Sequence, residues 1–179
     1  QFGMVDNSYS DAYDGYVVPV EFKGGTTDKT KRWAAILSTL GFFGPVTTVD
    51  VKLRPENNPP ILKCPSEPGL MGFTGTYTRD SDSYNYAKNI FCGVVDNSGY
   101  PLWKREKCKK PSVMFNAMDY KRINSNGVFT GYHYFSKSHT HLSRHNGNIN
   151  VLYVDGHANA ITLNGMSKDT ADEFHDAMP

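Results

Sequence analysis

The run Ser143-Arg144-His145-Asn146-Gly147-Asn148-Ile149-Asn150-Val151-Leu152-Tyr153-Val154-Asp155-Gly156-His157-Ala158 decides the fold class. Asn150 to Val154 is a short apolar stretch, Asp155-Gly156 is a dipeptide suited to a tight turn, and His157 to Leu163 reads as a return strand. Asp-Gly between two apolar runs is a strong local signal for a β-hairpin with a two-residue turn. In that register Val154 faces His157 and Leu152 faces Asn159, with Val151 and Tyr153 on the opposite face with Ala158 and Ala160. Apolar groups on both faces imply a strand covered on both sides.

Working outward, residues 1 to 13 place Phe2, Val5, Tyr9, Ala12 and Tyr13 near helical spacing, and Asp14-Gly15 ends the pattern with a pair suited to positive φ. The segment Tyr16-Val17-Val18-Pro19 is short and extended. Between residues 30 and 40, Trp33, Ile36, Leu37 and Leu40 recur at three and four, with Asp28 or Thr30 as the expected cap and Gly41 at the end. Prolines 45, 55, 59, 60, 65 and 68 leave room only for turns and short strands between Gly44 and Tyr77. Strands are expected over 86–95 and 112–119, between turn signals at Asp96 to Gly99 and Asn124 to Gly127. Ser167 or Asp169 is expected to cap a last short helix through Met178.

The composition agrees with a folded chain. With 179 residues, 39% hydrophobic and 21% charged, it lies in the globular range, and a chain of this size buries roughly 70% of its unfolded surface without needing metals or disulfides. Gly 16 and Pro 10, with a mean hydropathy of −0.51, favour short strands and many turns. Lys+Arg 19 against Asp+Glu 18 supplies no global attraction for nucleic acid or acidic membranes. No run of eighteen apolar residues occurs. The chain opens on Gln1, and residues 1–13 read as the end of a helix begun elsewhere, so a processed or truncated product is expected. The expected architecture is α+β: an N-terminal helix packed on an antiparallel sheet, with long Pro/Gly-rich loops.

Residue types that carry chemistry are sparse. His139-x-His141-x3-His145, with Asp155 and His157 downstream, is the one constellation with the donors of a zinc site, but its Ser, Thr, Arg and Asn spacers describe an exposed loop, and no metal is expected there. Asp80 to Asn85 opens like a calcium loop and then fails, with Asn85 at the position that needs glycine and Phe91 where a bidentate glutamate belongs. No cofactor is expected; calcium on other loop carboxylates is the one admitted exception. Lys104 to Lys110 is a basic run beside Tyr100 and Trp103, more in keeping with a solvated face or an edge strand guarded by lysines than with nucleic-acid binding. Gly69-x-x-Gly72-x-x-Gly75 lacks the Lys-Ser/Thr of a phosphate loop. No G-x-S-x-G elbow is present, and Cys64-Pro65-Ser66 and Pro111-Ser112 read as turns, so no catalytic residue is expected. Cys64, Cys92 and Cys108 allow one bridge or none, and the sequence does not choose a pairing.

His145 is separated from Asp155-Gly156 by nine residues. This segment resembles the signature of the bacterial prepilin-type H-x9-DG family of pseudopilin-like proteins. Met4 to Pro19 is similar to the stretch that follows the hydrophobic N-terminal helix in that family, and Trp33 to Leu40 resembles its tryptophan-bearing helix. Ile61 to Ser66 resembles its apolar-x-Cys-Pro segment, and Lys110-Pro111-Ser112 through Asp119 its Pro-Ser strand ending in an acid. The resemblance implies a non-catalytic head domain spanning 1–179, a structural subunit or minor component of a type II secretion or type IV pilus-like pseudopilus. It implies a precursor with a cleavable leader, an inner-membrane anchor through a helix ahead of Gln1, and a head in the periplasm or outside the cell. Partners would be copies of itself or related pilins, the secretion machinery and secreted cargo, and not nucleic acid. His145, Asp155 and Gly156 are then a structural motif, in which the imidazole bonds main-chain or carboxylate groups and orders the hairpin. Two other readings compete: a secreted carbohydrate- or ligand-binding module using exposed Trp103, Tyr132 and Tyr134, and, least favoured, a metal-dependent hydrolase using the histidines.

Overall fold

A computed structural model describes residues 1–22, 32–43, 60–62, 64, 86–89, 92–93, 102–119, 122–123, 129–130, 134–135 and 145–162. Helix α1 spans Phe2–Ala12 and α2 spans Trp33–Thr39. The strands are β1 (Tyr86–Asn89), β2 (Phe115–Asp119), β3 (Arg122–Ile123), β4 (Phe129–Thr130), β5 (Tyr134–Phe135), β6 (Asn148–Tyr153) and β7 (Ala158–Thr162). The α+β class is as expected. Asp28, Thr30, the run 44–59, the calcium-like loop, His139, His141 and the expected C-terminal helix lie outside the described residues.

Strands β1, β2, β6 and β7 pair antiparallel in the order β1-β2-β6-β7. The sheet is not wholly antiparallel, because β5 joins the outer edge of β1 in parallel, with Lys88 opposite Tyr134. After β2 the chain forms the antiparallel β3–β4 pair and then pairs again on the far side of β1; the expected turn at 124–127 lies outside the described residues. Parallel pairing needs such an intervening connection.

Alternation along the strands divides the interior in two. Ala87, Met118, Val151 and Tyr153 point into a cluster completed by Val17, Val20, Cys92, Trp103, Cys108 and Met114. The other face carries Tyr86, Lys88, Ala117 and Leu152, and is covered by α1. There Tyr9, Val18, Trp33, Ile36, Leu37 and Leu62 form a second cluster with Phe2 and Val5 packed against it.

Both helix ends follow the sequence. Asp14 and Gly15 have φ of 52° and 79°, and the Gly15 amide donates to the Ser10 carbonyl. Gly41, at φ 79°, and Phe42 donate to Ser38 and Leu37, the paired bonds of a Schellman ending. The N-terminus of α2 differs from expectation. Its cap position is Arg32, with no side-chain cap; instead the Trp33 amide donates to the Val20 carbonyl, so tertiary pairing takes the place of a capping side chain.

Two strands are shorter than expected. Gly93, at φ 102°, is incompatible with a strand continuing past Cys92, and Pro111 to Met114 form a turn in which the Val113 and Met114 amides both donate to Lys110. The hairpin register is also one residue off. Leu152 opposes Ala158 and Val151 opposes Asn159, because the loop is the three-residue Val154-Asp155-Gly156. Only Gly156, at φ 94°, is left-handed, whereas a two-residue turn of the Asp-Gly type needs positive φ at both central positions. That geometry occurs instead at Asn146-Gly147, φ 52° and 91°, where His145 and Asn148 exchange backbone bonds of 3.0 Å. The expected two-sided covering is not found: β6 buries Ile149, Val151 and Tyr153 on one face, while on the other Leu152 is half-buried and Asn150 exposed, and Ala158, Asn159 and Ala160 of β7 are exposed.

Candidate functional site

The Asn146-Gly147 turn sets His145 at the entrance to β6. Asp119 ends β2, where its Oδ2 accepts the Asn150 amide at 2.9 Å, a bond that joins the ends of the two strands. Cys64 follows the 3-10 turn Pro60–Leu62, whose Leu62 is fully buried in the second cluster. These elements bring three side chains together: His145 Nε2 lies 2.8 Å from Asp119 Oδ2 and 3.6 Å from Cys64 Sγ. All three donor atoms lie within 4.8 Å of one another. Cys64 and Asp119 are buried, and His145 is about a quarter exposed, so the cluster reaches solvent through the imidazole. The second carboxylate oxygen, Asp119 Oδ1, is buried with no hydrogen-bond partner.

The geometry discriminates between chemistries. In a nucleophile–base–acid relay, the imidazole faces the nucleophile with one nitrogen and the orienting carboxylate with the other. Here a single nitrogen, Nε2, faces both Cys64 and Asp119. Three donor atoms gathered within 4.8 Å of one another, one each from a thiol, an imidazole and a carboxylate, are instead a set able to ligate a cation.

The remaining sequence candidates fall elsewhere. Asp155 and His157 stay at the hairpin loop, where Asp155 Oδ1 accepts from the His157 amide at 3.1 Å and lies 2.6 Å from its Nδ1. The His157 ring stacks on Tyr153 at 4.0 Å between centroids. Gly156 lies against Asn7 of α1, whose side-chain nitrogen would be 3.3 Å from a Cβ at that position. Thus Asp155 and Gly156 shape the loop, while His145 belongs to a different cluster.

Trp103 is 5% exposed and part of the core, so it presents no ring to a carbohydrate or other ligand; it lies beside the chain segment 15–17, where its carbonyl accepts the Val17 amide at 3.2 Å. Tyr132 lies outside the described residues, as does the side chain of Tyr134. The basic run is partly consumed internally. Lys104 Nζ is 2.5 Å from Asp14 Oδ2, and Arg105 reaches Asp6 and Asn7.

That last contact belongs to a group the sequence concealed. Asp6, on α1, is buried and binds Lys88 Nζ at 2.8 Å, Arg105 at 3.0 Å and Asn116 Nδ2 at 2.6 Å. A bulge in β2 between Phe115 and Ala117 frees Asn116 from the ladder for this role. The one available signal was Asp6 itself, a carboxylate among Phe2, Val5 and Tyr9 on the apolar side of a helix. None of the three cysteines is disulfide-bonded, and burial pushes the Cys92 thiol up to about 12 and raises Cys108 as well.

Comparison of the chain with known proteins gave no match to a family model, to a curated protein or to a solved structure. Among the described residues, no helix is long and apolar enough to cross a membrane.

Proposed function

We propose that this chain is the water-facing head of a pseudopilus subunit in a type II secretion-like system, with a pilin-like arrangement of helix and sheet and no catalytic role. The supporting sequence observation is the H-x9-DG segment from His145 to Gly156, together with the ordered series of similar segments before it. The structural observation that carries it is the way α1 is held. Its first turn lies so close to the hairpin that a Cβ on Gly3 would be 2.9 Å from Leu152, and one turn later Asp6 is locked to Lys88. A helix fixed at both points is a stiff mount, able to set the orientation of the head relative to whatever precedes it. The head would be positioned by an anchoring helix and would present its loops to neighbours or cargo.

Sequencing the codons upstream of Gln1 in the native gene tests this. A short basic leader followed by about twenty apolar residues is the expected result. An open reading frame that starts at Gln1, or that carries an ordinary cleaved signal, overturns it.

A further inference from the structure

We infer that Cys64, Asp119 and His145 form a binding site for a zinc-class divalent transition-metal ion. The donor set, one thiol, one imidazole and one carboxylate, is of the soft-to-borderline type that suits zinc and cobalt and disfavours calcium or magnesium. The spacing fits as well. A tetrahedral ion with metal–sulfur and metal–nitrogen bonds of about 2.3 and 2.0 Å holds those two ligands about 3.5 Å apart. Cys64 Sγ and His145 Nε2 are 3.6 Å apart. The 2.8 Å contact between His145 and Asp119 is a hydrogen bond, and it would open to about 3.3 Å as the ion replaces the shared proton.

The second observation is the orphaned oxygen. Asp119 Oδ1 is buried with no partner, a costly state for a carboxylate, and a cation among the three donors would compensate it. Binding balances simply. The Cys64 thiol loses its proton to solvent, the imidazole proton moves from Nε2 to Nδ1, and the ion takes the freed sulfur and nitrogen lone pairs together with the carboxylate. Water completes the fourth position on the exposed side of His145. The ion would then tie three separate parts of the chain to one point: the segment after the 60–62 turn, the end of β2 and the entrance to β6. The inference stands on this cluster alone and is independent of the filament reading.

The test is titration of the reduced protein with Co2+, followed by Zn2+. The expected result is a thiolate-to-cobalt charge-transfer band in the near ultraviolet with intense tetrahedral d–d bands, both abolished by Zn2+, and a thermal midpoint raised by Zn2+. Cys64→Ser removes the charge-transfer band, and His145→Ala weakens binding by about 100-fold or more. The double variant His139→Ala/His141→Ala keeps the wild-type spectrum. A wild-type protein without the charge-transfer band overturns the assignment. So does a folded Cys64→Ser or His145→Ala protein that binds as wild type, or a band lost from the His139/His141 variant.

Discussion

Lys88 Nζ sits 2.8 Å from Asp6 Oδ1 with both side chains withdrawn from solvent, and this pair ties α1 to the sheet. The two partners are not equivalent. Asp6 also holds Arg105 and Asn116, whereas among the described residues Lys88, apart from Asp6, has the Asn116 side-chain oxygen Oδ1 at 2.5 Å and the Phe2 ring, 6.0 Å away at its centroid.

Removing Asp6 should therefore cost more than removing Lys88. Asp6→Asn strands a buried ammonium and is expected to destabilise by about 3–5 kcal/mol, the usual penalty for breaking a buried pair. Lys88→Met leaves the carboxylate with the partly exposed Arg105 and replaces the stem with an apolar chain of similar length, so a smaller loss is expected. Urea unfolding of the two variants measures the difference, and equal losses would contradict this asymmetry.

Glycine substitutions should separate backbone strain from crowding. Gly41 and Gly156 both have positive φ, but a Cβ at Gly41 meets nothing within 4 Å, whereas one at Gly156 meets Asn7 at 3.3 Å. Gly41→Ala should cost only the left-handed penalty, about 1–2 kcal/mol. Gly156→Ala should cost more, because it also pushes the loop away from α1, and the thermal midpoints of the two variants give the comparison.

What the sequence made legible were features written in adjacent residues. Asp14-Gly15 and Gly41 mark helix ends because few residues accept positive φ, and the β6–β7 hairpin follows from apolar runs either side of Asp155-Gly156. The register differs by one residue because Asp155-Gly156 is only part of a three-residue loop; the tight turn is Asn146-Gly147, whose dipeptide carries the same signal. Lys88 between Ala87 and Asn89 looks solvent-facing, since lysine is seldom buried without a partner, and that partner is far along the chain on α1. Cys64 and His145 are 81 positions apart, and only the sheet brings them to Asp119. Long-range convergence of this kind leaves no trace in local spacing.

The His145 imidazole reaches the Asp119 carboxylate at 2.8 Å, so its removal should be felt as lost stability even though the backbone bonds with Asn148 remain. His145→Ala leaves Asp119 with the Asn150 amide alone and should destabilise the metal-free protein by about 1–3 kcal/mol. His145→Gln, able to donate to the carboxylate, should recover part of that loss in thermal unfolding. A variant as stable as wild type would show that the imidazole does not hold the strand ends together.

Alkaline pH offers a test of the core around Cys92. Burial raises this thiol from 9.0 to about 12, and burial also raises Cys108, Tyr9 and Tyr153. Each group keeps its proton in the folded chain at a pH where the unfolded chain has released it. The unfolded state then binds fewer protons, so stability must fall as pH rises. Below pH 9 the Cys92 contribution is fully present, and between pH 9 and about 12 it is lost, at up to about 1.4 kcal/mol per pH unit for this one group. Urea midpoints between pH 8 and 11 should decline, and Cys92→Ala, although less stable throughout because of the cavity, should decline less steeply. Thiol labelling gives the same answer another way. At pH 8, Cys92 should resist alkylation in the folded protein and react on unfolding; rapid native labelling, or an unchanged slope in Cys92→Ala, would show that this thiol is not sealed in the core.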